Sequence, residues 1–425
     1  MANSAVKINA DSAGRLSPNS ARSSVRHPAR LYPAKLYPAK PWQILCGLVV
    51  SGLLLALPGG LLPLWGFHIQ PDFGTAGNFF LVLGLGVIGG GVLAQRLARH
   101  ASLERLLAGG YFTAALSLLL LAVAAPPAPS WYRFLALFVS GMAAGIMNTA
   151  VFEAVTACYE SNPATITLMG GIFFGGGSVL AALLLGQSFE DGGVTRLLAV
   201  AAVVPAMAGI FAGLLQIDSR TGAVQAVSEV SLADSIEDLH SPLAILFALL
   251  LFFQFGNEWS LAGWLPILLI DRLGLSPATA VTLLALYWGA LMAGRMVAVK
   301  LLRVVRHGKL LGVSAFCALF GCMALLAAGS RFGVVVGLLL TGAGFSAIYP
   351  LVAERIAKRF SYYHPGYFNG IFTFALTGGI LAPFALGHLA GDAGLKVIPL
   401  AVMMGSCAVF GLVLLIWLGH KVSGH

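Results

Sequence analysis

The sequence predicts an all-α membrane protein in which twelve transmembrane helices form two pseudo-symmetric six-helix halves. Three observations carry this. Of 425 residues, 58% are hydrophobic and 10% are charged, with a mean hydropathy of +0.89, whereas a soluble domain carries about 25% charged residues. Twelve apolar runs follow one another, most of them near the ~20 residues that span a bilayer at ~1.5 Å each. Two segments of the first half also recur in the second at nearly the same offset. Gly141 and Glu153 are matched by Gly342 and Glu354, each 201 residues on, and Gly90, Arg96 and Leu97 by Gly294, Lys300 and Leu301, each 204 residues on.

In chain order, residues 1–41 are polar, rich in Ser, Arg and Pro, and hold Asp11 as their single acid. This reads as a disordered cytoplasmic tail whose basic residues keep the first helix start inside; an Arg- and Ser-rich, acid-poor start also fits an organellar transit peptide. The tandem LYPAK at Leu31–Lys40 is a short local duplication. The first six runs, about 43–65, 76–96, 104–125, 132–158, 164–187 and 194–215, fill a first bundle over 42–215. The polar, acidic connection 216–241, with Glu229, Asp234, Glu237 and Asp238, reads as a cytoplasmic linker in which Ser231–Asp234 offers a helix cap. Runs 242–269, 278–302, 309–328, 332–357, 367–390 and 395–418 then build a second bundle over 242–425.

Charge sets the orientation. Arg96, Arg99 and Arg105 lie between runs two and three, Lys300, Arg303, Arg306 and Lys309 between eight and nine, and Arg355, Lys358 and Arg359 close run ten. The alternate connections carry few basic residues: Arg196, Arg272, Arg331 and Lys396. The positive-inside rule then puts both termini in the cytoplasm, and a cell inner (plasma) membrane is the expected location. The net charge of +9 is spread over these connections, so no basic patch for nucleic acid arises. The five cysteines lie in or beside apolar runs without metal-ligand spacing, and no Gly-rich phosphate loop appears. The sequence thus implies neither cofactor nor metal, and no nucleophile–base set that would make an enzyme.

One apolar run is conspicuously polar at its middle. Phe252–Asp271, FFQFGNEWSLAGWLPILLID, is long enough to span, yet it carries Gln254, Asn257 and Glu258. At 100° per residue these share a stripe of roughly 120° with Leu261 and Trp264. A carboxylate in the hydrocarbon costs several kcal/mol unless water or a partner meets it, so this stripe is expected to face a cavity between helices; a structural Glu bonded to a neighbouring helix is the plain alternative.

The chain resembles the major facilitator superfamily over Trp42 to Val422. Within it, the fucose–glucose–galactose proton symporters and related bacterial sugar porters are nearest, on four motifs: FGNEWSLAGWLP in run seven, YWGALMAGR (Tyr287–Arg295) in run eight, FSAIYP (Phe345–Pro350) in run ten and GGILAPFALGHLAGD (Gly378–Asp392) in run eleven. The resemblance implies a twelve-helix secondary transporter that works by alternating access. The first half departs from the group: Asn148 stands where a fourth-helix Glu carries the proton, Leu53–Pro63 has no ionisable residue, and Gln95 stands where an Asp is usual.

Sugar hydroxyls ask for paired donors and acceptors, and a sugar's C–H face packs on aromatic rings. Candidate solute-binding residues are accordingly Asn148, Gln254, Asn257, Glu258, Trp264, Trp288, Asn369 and Thr373, the last two on a polar stripe that continues to Thr377. Thr149, Tyr287 and Tyr349 are further polar or aromatic wall candidates. Glu258 is the candidate proton-coupling group. Glu153 and Glu354, at matched repeat positions beside basic inner loops, form with Arg295 a candidate cytoplasmic gate, as inner-gate ion pairs do in sugar porters. Gly175–Gly177 and Gly378–Gly379 are expected where helix backbones approach closely, and His388 is expected to be structural. The expectation is a monomer in the lipid bilayer that moves a small polar solute, a sugar above all, with protons as the candidate coupling ion. An exporter or facilitator of amphipathic compounds is the alternative.

Overall fold

The computed structural model describes residues 41–98, 100–126, 128–191, 193–214, 241–360, 366 and 370–422. Apart from Pro41 and Ser241, the expected tail and linker lie outside the described residues, as does Asn369. The described secondary structure is helical throughout. It consists of α1 (Pro41–Leu45), α2 (Leu48–Leu64), α3 (Phe73–Leu97), α4 (Leu103–Val123), α5 (Ser130–Ala154), α6 (Thr156–Ser161), α7 (Pro163–Asp191), α8 (Val194–Ala201), α9 (Val203–Leu214), α10 (Pro242–Leu273), α11 (Pro277–Leu301), α12 (His307–Ala327), α13 (Arg331–Phe345), α14 (Ile348–Arg359), α15 (Gly370–Ala393) and α16 (Val397–Val422). Among the described residues, eleven segments are long and apolar enough to cross a membrane, and α2 is a shorter apolar helix. Together they account for the twelve runs.

Two runs expected to be continuous are broken, and proline explains both. Run six divides at Ala202 into α8 and α9, and run ten divides at Ser346–Ala347 into α13 and α14. Each break lies about one turn before a proline, Pro205 and Pro350 respectively. A proline lacks the N–H that would bond the carbonyl four residues back, and its ring crowds that carbonyl. Other ends follow local capping. Asp72 and Ser276 accept from the backbone N–H of Thr75 and Thr279 at the starts of α3 and α11, and Gly274 closes α10 with a left-handed φ of 61°.

The bundle exposes apolar side chains and buries a small set of polar and charged ones within a largely apolar core. Phe211, Phe316, Phe320, Leu414 and Leu415 are exposed on its surface, whereas Gln254, Asn257, Glu258, Arg295 and Glu354 are buried. Lipid is as apolar as leucine, so close packing and interhelical hydrogen bonds must join the helices. In the first half α3 and α5 meet through Gly86, Gly90, Gly141 and Gly145. A Cβ on any of them would overlap a backbone carbonyl of the facing helix (Phe138, Met142, Leu83 and Val87 respectively), so only glycine permits that approach.

The two sets of six spanning segments fall within one compact unit and meet along five helix pairs: α3 with α15, α2 with α10, α2 with α11, α7 with α11, and α7 with α14. We call the end of the bundle bearing residues 65–72 distal, and the end bearing residues 302–306 proximal. At the distal end Gly77 and Gly387 bring α3 and α15 into backbone contact, and Phe73 and Phe80 pack on Trp264 at ring distances of 6.1 and 5.5 Å.

Candidate functional site

Where α7, α10 and α11 converge, an ion pair is buried at the seam between the halves. Glu258 on α10 and Arg295 on α11 are 5% and 6% exposed, and Arg295 Nη2 lies 3.4 Å from Glu258 Oε1. Arg295 Nη1 donates to the backbone carbonyl of Gly171 on α7 at 2.7 Å. The guanidinium therefore holds a carboxylate of its own half and a backbone oxygen of the other. Gly171 is necessary for this: a Cβ there would sit 2.7 Å from Arg295 Cδ and Nε and 2.9 Å from Cζ. Gln254, one turn before Glu258, donates Nε2 to Glu258 Oε2 at 3.5 Å, and Tyr287 Oη donates to the Glu258 backbone carbonyl at 3.4 Å.

Aromatic rings wall this group. Trp288, fully buried two turns before Arg295 on the same face of α11, packs on Trp259 (5.9 Å), Tyr287 (5.4 Å) and Phe174 of α7 (6.0 Å). Phe174 also meets Trp259 edge-on at 6.0 Å, so this cluster again bridges the halves. Several polar atoms around it are buried without a hydrogen-bond partner among the described residues: Gln254 Oε1, Arg295 Nε and Trp288 Nε1. Each unpaired buried group costs about 1–3 kcal/mol, so a polar ligand that met these atoms would recover part of that cost.

The structure brings some of the sequence candidates together and separates others. Gln254 and Glu258 meet, and Trp288 packs on Trp259, the residue next to Glu258. Asn257 lies 100° round the helix from Glu258 and turns the other way, where its Nδ2 donates to Ser406 Oγ of α16 at 3.3 Å. Gly405 makes room for that amide, and Cys322 of α12 completes the cluster at 3.1 Å from Ser406 Oγ. Trp264 donates Nε1 to the Pro383 carbonyl at 3.0 Å and sits in the distal seam. Asn148 is half-buried on α5, beside the buried Thr149. Thr373 is half-buried on α15, and Thr377 spends its hydroxyl on the Phe374 carbonyl at 2.6 Å.

Among the expected gate residues, Arg295 is placed with Glu258. Glu354 instead takes His307 Nδ1 and Lys358 Nζ, both at 2.6 Å, at the proximal end of α14. Glu153 is half-buried at the proximal end of α5, where Thr156 Oγ1 donates to its carbonyl at 2.8 Å. His388, expected to be structural, faces Asn78 Oδ1 across the distal seam at 3.2 Å. Gly171, Phe174 and Trp259 are the site residues that sequence reasoning passed over. Their only signals were the glycine-rich stretch of α7 and the position next to Glu258.

No family model matches the sequence. An uncharacterized transporter of Sinorhizobium fredii is 24% identical over 363 residues, covering 84% of this chain and 93% of that protein. An uncharacterized MFS-type transporter of Yersinia pestis is 26% identical over 365 residues, covering 82% and 88%. Among solved structures, the E. coli fucose:proton symporter FucP superposes with a TM-score of 0.61 at 20% identity, covering 88% of this chain and 97% of that one. A structure of FucP in the outward conformation gives the same score and coverage at 18% identity.

Proposed function

The chain has the major facilitator fold, and on that premise we propose that it is a secondary transporter moving a small polar solute between its halves by alternating access. The observation that carries this is Arg295, which grips Glu258 in its own half and the Gly171 carbonyl in the other. A charged pair inside spanning helices is a functional site by default. One placed on the seam is where a solute can report its presence to both halves. Gln254 and Arg295 supply donors and acceptors for hydroxyls, and Trp259 and Trp288 supply the ring wall a sugar's C–H face needs. The proximal end carries the basic connections, so it faces the cytoplasm and the distal end faces out.

In this reading Glu258 carries the coupling proton, because Asn148 cannot. Protonation removes the negative partner of Arg295, and solute takes its place. Glu153 and Glu354 act at the cytoplasmic gate and do not touch solute. The test is Glu258→Gln in proteoliposomes. The amide copies the neutral acid in shape, so solute counterflow is retained while accumulation driven by a pH gradient is lost. Unchanged accumulation would place the proton elsewhere; loss of counterflow as well would make Glu258 a direct solute ligand. A second reading, export of amphipathic compounds, draws on the aromatic bridge Phe174–Trp259–Trp288 and the α2 run without an ionisable residue. Competition of sugar counterflow by hydrophobic cations separates the two.

A further inference from the structure

We infer that the transported solute carries a carboxylate: the seam at Arg295 is built for a small hydroxy acid, taken up with one proton, and not for a neutral sugar. This rests on the transport reading above and narrows its substrate class.

The first argument is the unfilled edge of the guanidinium. Nη1 is well bonded to Gly171 at 2.7 Å. The other two nitrogens, Nε and Nη2, form the side-on edge that grips a carboxylate through two parallel N–H bonds. Glu258 takes only Nη2, at 3.4 Å, where a charge-assisted N–H···O bond runs about 2.7–2.9 Å. Nε has no hydrogen-bond partner among the described residues. Gly171 does not block that edge. Its Cβ position is nearly equidistant from Cδ, Nε and Cζ, which puts the glycine over the face of the guanidinium plane. Glu258 is thus a loose, one-pronged occupant of a two-pronged site.

The second argument is what surrounds the edge. Gln254 Oε1 is buried and lacks a donor, and Trp288 Nε1 is buried and lacks an acceptor. A solute with a carboxylate for Arg295 and hydroxyls for Gln254 and for Trp288 would satisfy all three groups. A neutral sugar would serve Gln254 and Trp288 yet leave the guanidinium edge half used.

The third is charge balance. Glu258 and Arg295 form a neutral couple in a low-dielectric seam. A carboxylate entering alone would leave a net negative charge there, which is costly. A proton on Glu258 restores neutrality, and the solute carboxylate then replaces Glu258 on Nε and Nη2. The titratable groups around Glu258 are Arg295 and Tyr287 on α11, with Cys322 of α12 and Tyr349 of α14 acting through those two. The packed segment of α7 offers the Gly171 carbonyl, and α2 holds no ionisable residue. Only Glu258 can take up the balancing proton by losing a negative charge. One proton with one monocarboxylate crosses without net charge.

The test reconstitutes the full chain in proteoliposomes and measures counterflow of labelled L-lactate, D-glycerate and D-gluconate against D-gluconamide, D-glucose and L-fucose. At least one carboxylate should exchange, and its amide should compete at least tenfold more weakly. Uptake should follow an imposed pH gradient and ignore a potassium diffusion potential, because the proton and the anion cancel. Arg295→Lys keeps the charge but loses the two-pronged edge, so the half-saturation concentration should rise tenfold or more in protein that remains monodisperse. Exchange of a neutral sugar with no carboxylate exchange, or uptake driven by the potential alone, would overturn the inference and leave the transport reading standing. No exchange of any of the six by monodisperse protein would overturn both.

Discussion

Gly387→Ala is the most direct probe of which contacts belong to one conformational state. In the structure a methyl at Gly387 would sit 2.5 Å from the Phe73 carbonyl oxygen and 2.7 Å from the Gly77 Cα, whereas ordinary contact begins at 3.4 Å. The groups it meets are backbone, so no side chain can swing aside, and α3 and α15 must part by roughly 1 Å. Overpacking of this kind costs about 1–3 kcal/mol. Because the contact joins the two halves, that cost falls only on states in which the distal ends touch. The equilibrium between distal-closed and distal-open forms should therefore shift toward open by about 5- to 150-fold. The assay is the reaction rate of Asn78→Cys, a position on the same seam, in a cysteine-free background with a membrane-impermeant maleimide added outside. Gly387→Ala should accelerate labelling within that range and leave thermal unfolding nearly unchanged. Gly145→Ala is the control: its methyl would overlap the Val87 carbonyl inside the first half, so it should lower stability without raising labelling. If Gly387→Ala lowers the unfolding temperature as Gly145→Ala does and labelling stays at the parent rate, the α3–α15 contact is fixed packing, and alternating access does not run through it.

Three further outcomes follow from the same contacts. Glu354→Gln removes the charge held by His307 and Lys358; with Lys358 largely exposed and screened, thermal stability should fall by about 1–3 kcal/mol while half-saturation in counterflow stays within a few-fold. A tenfold rise would move Glu354 into the solute site. Asn257→Ala breaks the link to Ser406 and should cost about 0.6–2 kcal/mol of unfolding free energy; a selective loss of solute affinity would instead show that Asn257 turns back to the seam. Trp264→Phe keeps the ring contacts with Phe73 and Phe80 across the seam but loses the bond to Pro383 inside the second half, so it should cost about 1 kcal/mol of unfolding free energy and leave Asn78→Cys labelling unchanged; faster labelling would show that this bond forms only in the distal-closed state.

The sequence by itself determined what depends on neighbours along the chain. Apolar run lengths set the number and order of the spanning segments, because an unpaired backbone in lipid is too costly for anything but helix. The two broken runs read as continuous, although Pro205 and Pro350, each without the N–H that a continuous helix needs, lie about one turn beyond the breaks. The polar centre at Gln254 and Glu258 could be located, because a carboxylate in an apolar run demands a partner whatever that partner is. Which partner it found was a tertiary matter. Arg295 read as an inner-end residue, but α11 packs against both α10 and α7, and that crossing sets its guanidinium between Glu258 and Gly171. Asn257 and Glu258 looked like one stripe along α10. The 100° between them was enough, once α11 and α16 had taken their places, to send one side chain to the seam and the other into its own half. Periodicity fixes the direction of a side chain on its helix, but only packing fixes what stands there.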